Sequence, residues 1–128
     1  MSFSKTLVTA ALCTFVGAVA AQSFPTKPIT IVVPNPPGGV VDTSARLMAD
    51  SLAKVLGQSV VVDNRGGASG NIAMGQVAKA PKDGYTLLAS YSAYHVGNPA
   101  MFAKPGWEQK DLVPIALIAA ATKLSLPI

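Results

Sequence analysis

The stretch Ile31-Val32-Val33-Pro34-Asn35-Pro36-Pro37-Gly38-Gly39-Val40-Val41-Asp42 constrains the fold more than any other. Ile29 to Val33 is short, apolar and β-branched, the composition of an inner strand of a parallel sheet. Pro34, Pro36 and Pro37 fix φ and remove three backbone donors, so no ladder continues past Val33. Gly38 and Gly39 supply bare backbone, and Asp42 or Thr43 is expected to cap a helix that follows. A strand, a stiff loop and a helix start in that order place free N–H groups at the carboxyl end of a strand. Open α/β sheets bind anionic or polar ligands at that place. The loop alone leaves two readings open: a ligand crevice, or a plain Pro/Gly connection.

The residues before this stretch have another character. Lys5 precedes an almost uninterrupted run of apolar and small residues from Thr6 to Ala21, ending Ala18-Val19-Ala20-Ala21. This is the pattern of a secretory signal peptide over residues 1–21, cleaved near Ala20 or Ala21, and it predicts export to the periplasm. Cys13 falls inside that run, so the exported part has no cysteine for a disulfide or a thiolate metal site. The formal charge is +4; without Lys5, nine basic residues face six acidic ones. The basic residues are scattered singly, which argues against a nucleic-acid face.

Beyond Asp42 the hydrophobic period alternates. Ala45, Met48, Ala49, Leu52, Val55 and Leu56 lie on one face of a helix that Gly57 ends. Arg46, Asp50 and Lys54 read as a solvated ladder on the opposite face. Ser59 to Asp63 is the second strand. It leads into the glycine-rich loop Asn64-Arg65-Gly66-Gly67-Ala68-Ser69-Gly70-Asn71 and a helix from Ile72 to Ala80, stopped by Pro81. Lys82-Asp83-Gly84 turns into a third strand, Tyr85 to Ser90. Ser92 to Ala103 reads as loop with one short helix near Pro99, Trp107 to Leu112 as a polar approach, and Ile115 to Ala120 as a fourth strand. A fifth is expected to begin within Lys123 to Ile128. Alternating strands and helices imply right-handed crossovers and a parallel sheet. The ending in Pro127-Ile128, with no covering element, is expected of a fragment or a truncated reading frame.

The candidates for chemistry are few. His95 is the only histidine. Gly67-Ala68-Ser69-Gly70-Asn71 approaches a nucleophile elbow and lacks its last glycine. The carboxylates are dispersed, so no metal site is expected, and neither phosphate-binding glycine motif occurs. His95 reads as a hydrogen-bonded loop residue, and no catalytic residue, metal or cofactor is assigned.

Several motifs in order carry a resemblance: Phe24-Pro25-Thr26-Lys27-Pro28-Ile29-Thr30-Ile31-Val32-Val33-Pro34, Pro36-Pro37-Gly38-Gly39 with Asp42, Leu56-Gly57-Gln58-Ser59-Val60-Val61-Val62, Asn64-Arg65, Gly70-Asn71-Ile72, Val77 to Leu88, and Asn98-Pro99. Together they resemble the Bug-type extracytoplasmic solute receptors of tripartite tricarboxylate transporters. The resemblance covers essentially all of the chain after residue 21. It implies a periplasmic-binding-protein-like (type II) fold, with residues 22–128 forming the first part of one α/β domain. It also implies a small carboxylate or related solute as ligand, transient contact with membrane transporter subunits, and no enzymatic activity. The ligand carboxylate is then expected at Pro36, Gly38, Gly39, Val40 and Asp42, with Asp42 acting mostly as a cap or meeting a ligand amino or hydroxyl group. Ser90, Ser92 and Asn98 are expected on the other side. The chain departs from the family pattern at Asn35, where an aromatic residue is usual, and at Arg65-Gly66-Gly67, which lacks a proline. Two other readings remain beside the receptor: a small exported α/β enzyme acting on an anionic substrate, and a non-functional truncated remnant.

Overall fold

The computed structural model describes residues 23–119. Strands β1 (Ile29–Val33), β2 (Val60–Asn64) and β3 (Thr86–Leu88) form one parallel sheet in the order β2-β1-β3. Ile31 lies opposite Val62 on one side and Leu87 on the other. Beyond the strands proper, Arg65 N–H donates to Val33 O and Ala89 N–H to Val32 O. The central position suits β1 because its side chains are buried on both faces: Ile31, Val32 and Val33 are each 0% exposed. Burying side chains of this size contributes about 1.5–3 kcal/mol apiece.

Helices α1 (Val40–Leu56) and α2 (Asn71–Ala78) pack on the sheet, and α3 (Ser92–Met101) packs against the turn at Ala68–Gly70. Ala45 and Ala49 of α1 pack against Ile31, Val33 and Ala89, flanked by Met48, Val60, Val62 and Leu87. Val32 points to the opposite face by strand alternation. It is buried there, and Ala73 and Met74 of α2, which packs against β1 and β3, are buried as well. The chain therefore runs from β1 outward to β2 on one face, then back across β1 to β3 on the other. This reversal makes β1 and β3 a topological switch point, and open α/β sheets place their ligand crevice outside the carboxyl ends of the strands at such a point.

Several boundaries differ from the sequence expectation. Helix α1 starts at Val40 with Gly39 as its N-cap, so neither Asp42 nor Thr43 caps it; Asp42 lies within the first turn. Its expected end holds, with Gly57 left-handed (φ 66°) and its N–H on Ala53 O. Arg46 pairs with Asp42 at 3.0 Å, one turn back, and not with the expected ladder partner Asp50. Helix α2 stops at Ala78, and β3 is shorter than expected. The segment read mostly as loop is a ten-residue helix, α3, with Pro99 in its last turn; the proline removes one i→i−4 bond there, and the helix ends two residues later at Met101. Residues 112–119 have no regular secondary structure, so the fourth strand expected from Ile115 to Ala120 is not formed over its described part. A β-rich pattern specifies a strand only when a ladder partner meets it, and Val113, Ile115 and Leu117 are exposed. The expected fifth strand and the signal segment lie outside the described residues. No helix among the described residues is long and apolar enough to cross a membrane.

Candidate functional site

The crevice at the carboxyl ends of β1 and β3 is built from two loops. The first, Pro34 to Gly39, is held by a buried brace centred on Asp42. Asp42 Oδ2 accepts from Gly38 N–H at 2.8 Å and from Arg46 Nε at 3.0 Å. Its Oδ1 accepts from Asn64 Nδ2 at 2.9 Å and pairs with the Arg46 terminal nitrogen at 3.0 Å. Asn64 Nδ2 also donates to Asn35 O, tying the loop to the end of β2. The Arg46 hydrogen bond, then Gly38 N–H, then the Asn64 amide hold the Asp42 carboxyl at about 2, below its ordinary 3.8.

This brace corrects part of the sequence reading. Asp42 is 2% exposed and both its oxygens are engaged, so it shapes the loop and has no oxygen left for a ligand. Gly38, at φ +86°, spends its N–H on Asp42 and is not available as a ligand donor. The N-cap Gly39 brings no side-chain cap, and the first-turn N–H groups of α1 at Val40 and Val41 meet no acceptor among the described residues. Asp42 and Arg46 neutralise each other, so the positive end of α1 keeps its field. Pro36 is exposed on the rim, and the Val40 side chain is 81% exposed.

The second loop runs from Ala89 into α3. Tyr94 OH accepts from Asn35 Nδ2 at 3.0 Å, which links the two sides of the crevice. The Tyr91 and Tyr94 rings lie 4.5 Å apart, and Asn35 Oδ1 is buried without a partner. Ser90 follows β3 directly and is half-buried, while Ser92 opens α3 and is exposed. Ser90 Oγ lies 2.6 Å from His95 Nε2, and His95 Nδ1 lies 3.2 Å from Gln109 Oε1. The order serine, histidine, amide imitates a hydrolytic triad but replaces the carboxylate with a neutral group. An amide leaves the imidazolium that would form on proton transfer without a counter-charge.

Asn98 is held in a buried cluster through its amide nitrogen. It is 3% exposed, and its Nδ2 donates to Ser69 O at 2.8 Å and to Asn71 Oδ1 at 2.9 Å. The same Asn71 oxygen accepts from Trp107 Nε1 at 2.8 Å. This buried cluster locks the turn at Ala68–Gly70, where Ala68 and Ser69 hold positive φ, against α3 and the Trp107 segment. Sequence reasoning missed Asn64, Trp107 and Gln109. A lone tryptophan in a polar stretch was the one available signal, since so large a ring is rarely left outside a core.

A concavity of about 350 Å³ lies along residues 103–111. One segment lines it, including Lys104, Glu108 and Asp111, so it is a curl of that loop and not a cleft between elements. No group of three metal-ligating side chains occurs among the described residues.

Comparison with known proteins gives a consistent picture. The model of the tripartite tricarboxylate transporter family receptor matches residues 44–127. An Agrobacterium vitis protein, encoded in the TAR-I ttuE-ttuC' intergenic region, is 41% identical over 128 residues, covering 98% of this chain and 35% of its own length. Protein BugT of Bordetella pertussis is 45% identical over 102 residues, covering 78% of this chain and 31% of its own. The chain thus spans about a third of the length of these relatives. Among solved structures, the periplasmic binding protein BugD aligns with a TM-score of 0.63 at 41% identity, over 66% of this chain and 28% of that one. An R. palustris protein solved with adipate aligns with a TM-score of 0.55 at 50% identity, over 56% of this chain and 24% of that one. MatC from Rhodopseudomonas palustris, with bound malate, aligns with a TM-score of 0.50 at 46% identity, over 51% and 22%.

Proposed function

The chain belongs to the tripartite tricarboxylate transporter receptor family, and from that premise we propose that it forms the ligand-gripping N-terminal part of an exported solute-binding protein. Residues 1–21 are its signal peptide, its place is the periplasm, and its ligand is a small carboxylate passed on to membrane transporter subunits. The observation that carries this reading is the braced loop at the β1/β3 switch point. Pro34, Pro36 and Pro37 stiffen it, Asp42 and Asn64 hold it, and the first-turn donors of α1 remain open to an anion. A stiff loop lowers the entropy cost of ordering on binding. Main-chain N–H groups and a helix N-terminus bind a carboxylate without a dedicated cation.

The adipate and malate held by two solved relatives support a carboxylate ligand class. Binding rather than turnover is the activity, in keeping with the receptor family and the periplasmic binding protein to which the chain is similar. The test is a thermal-shift screen of the full-length receptor against mono- and dicarboxylates, including adipate and malate. Ligand at a hundredfold excess over Kd raises stability by about 2.7 kcal/mol. No shift with any carboxylate, or steady consumption of one, contradicts the reading.

A further inference from the structure

Resting on the receptor reading, we propose that His95 and Gln109 fix Ser90 as a hydrogen-bond acceptor, so that the site selects carboxylates carrying a hydroxyl group near the end of β3. Gln109 sets the tautomer of the His95 ring. Its Oε1 lies 3.2 Å from His95 Nδ1, and an amide oxygen only accepts, so Nδ1 carries the ring proton. A neutral imidazole protonated there has a bare Nε2. Nε2 lies 2.6 Å from Ser90 Oγ, so the Ser90 hydroxyl donates its single proton to the ring. What Ser90 then offers elsewhere is lone pairs alone.

The relay is set in advance by its surroundings. The His95 ring stands edge-on to Trp107 at 6.0 Å and 76°. Trp107 is itself buried and pinned to Asn71. Gln109 opens a short 3-10 turn whose Glu108 and Asp111 form a reciprocal capping box. Ser90 comes one residue after Ala89, whose N–H closes the β1–β3 ladder, so it stands on the β3 side of the switch-point crevice. The opposite side carries the main-chain donors of Val40 and Val41. The two sides therefore differ in polarity: donors toward α1, an acceptor toward β3. A plain carboxylate oxygen meeting Ser90 would set lone pair against lone pair, whereas a ligand hydroxyl donates to it.

The test is calorimetry of the full-length receptor with malate and succinate, which differ by one hydroxyl. Malate is expected to bind about tenfold more tightly, the worth of one well-placed hydrogen bond. In His95→Leu the Ser90 proton is released to the ligand, and the malate-to-succinate ratio falls to about one. In His95→Gln, which returns an acceptor oxygen, the ratio is retained. The ratio separates this role from simple structural support, because a damaged fold weakens both probes alike. Nitrogen-15 NMR of His95, assigned against the His95→Gln variant, is expected to place the proton on Nδ1. A proton on Nε2, equal binding of both probes by the wild type, or a ratio unmoved by His95→Leu overturns this inference and leaves the receptor reading standing. Failure of every carboxylate tested in the thermal-shift screen overturns both.

Discussion

Replacing Asn71 with alanine removes one oxygen on which two buried donors depend, Asn98 Nδ2 at 2.9 Å and Trp107 Nε1 at 2.8 Å. Asn98 keeps its bond to Ser69 O through its other hydrogen, so one N–H of Asn98 and the indole N–H become orphans. Each buried orphan costs about 1–3 kcal/mol, which gives about 2–6 kcal/mol for Asn71→Ala if both stay dry. That is a large share of the 5–15 kcal/mol typical of a folded domain. Asn71→Asp keeps the accepting oxygen and adds negative charge at the first position of α2, where the helix end favours it, so its stability is expected within about 1 kcal/mol of wild type. Urea unfolding followed by far-ultraviolet circular dichroism measures both changes, and reads the variants that lack Trp107, the only tryptophan of this chain, equally well. Asn71→Ala should also couple non-additively to Trp107→Phe, because removing the indole N–H abolishes one of the two orphans. An Asn71→Ala variant within about 0.5 kcal/mol of wild type, or strict additivity in that cycle, would show that the shared oxygen does not hold α2, α3 and the Trp107 segment together.

Three further outcomes follow from the same geometry. Asp42 sits at about 2 in the folded protein against an ordinary 3.8, so its contribution to stability is complete above about pH 4 and is lost as pH falls toward 2; in Asp42→Asn, Tm should drop less steeply over that acid window. Gly70→Ala forces a side chain onto φ +81° with its Cβ 3.0 Å from Tyr94 and 3.1 Å from Pro34, and should lower stability by about 1–3 kcal/mol in chemical denaturation while Gly38→Ala, also at positive φ but in open space, costs less. N-terminal sequencing of the exported protein should begin near Gln22, and a sequence still starting at Met1 or Ser2 would refute the signal-peptide reading.

The first three strands were legible in the sequence because β-branched runs broken by proline and glycine leave few alternatives, and Ile29–Val33 and the Gly57 stop fall where they are expected. The start of α1 was not, because Asp42 looks like a cap from its side-chain type alone. Its role depends on Asn64, which is distant in sequence and near only after β2 pairs with β1. Helix α3 was hidden by Pro99 and Gly97, whose low helix propensity is overridden by the buried anchor at Asn98. The buried bonds of Asn98 were hidden for a related reason: an amide near a cleft invites a ligand role, and only the fold reveals Ser69 O and Asn71 Oδ1 as the partners of its Nδ2. The Ser90–His95–Gln109 relay spans nineteen residues between its ends. No motif spacing announces it, because a short helix and a tryptophan shelf bring its members together.

The most direct test of the account is a calorimetric titration of the full-length receptor and its Gly39→Val variant with adipate or malate, whichever the wild type binds more tightly. Gly39 has φ −74°, and a Cβ there meets Pro36 O at 3.6 Å and Asn35 Cβ at 3.9 Å, ordinary contacts that let the variant fold. The added side chain stands beside the Val40 N–H and should bar the close approach of a carboxylate, weakening binding by about 1–3 kcal/mol, roughly five- to two-hundredfold in Kd. Affinity unchanged in a folded Gly39→Val variant would contradict the claim that the loop between β1 and α1 holds the ligand.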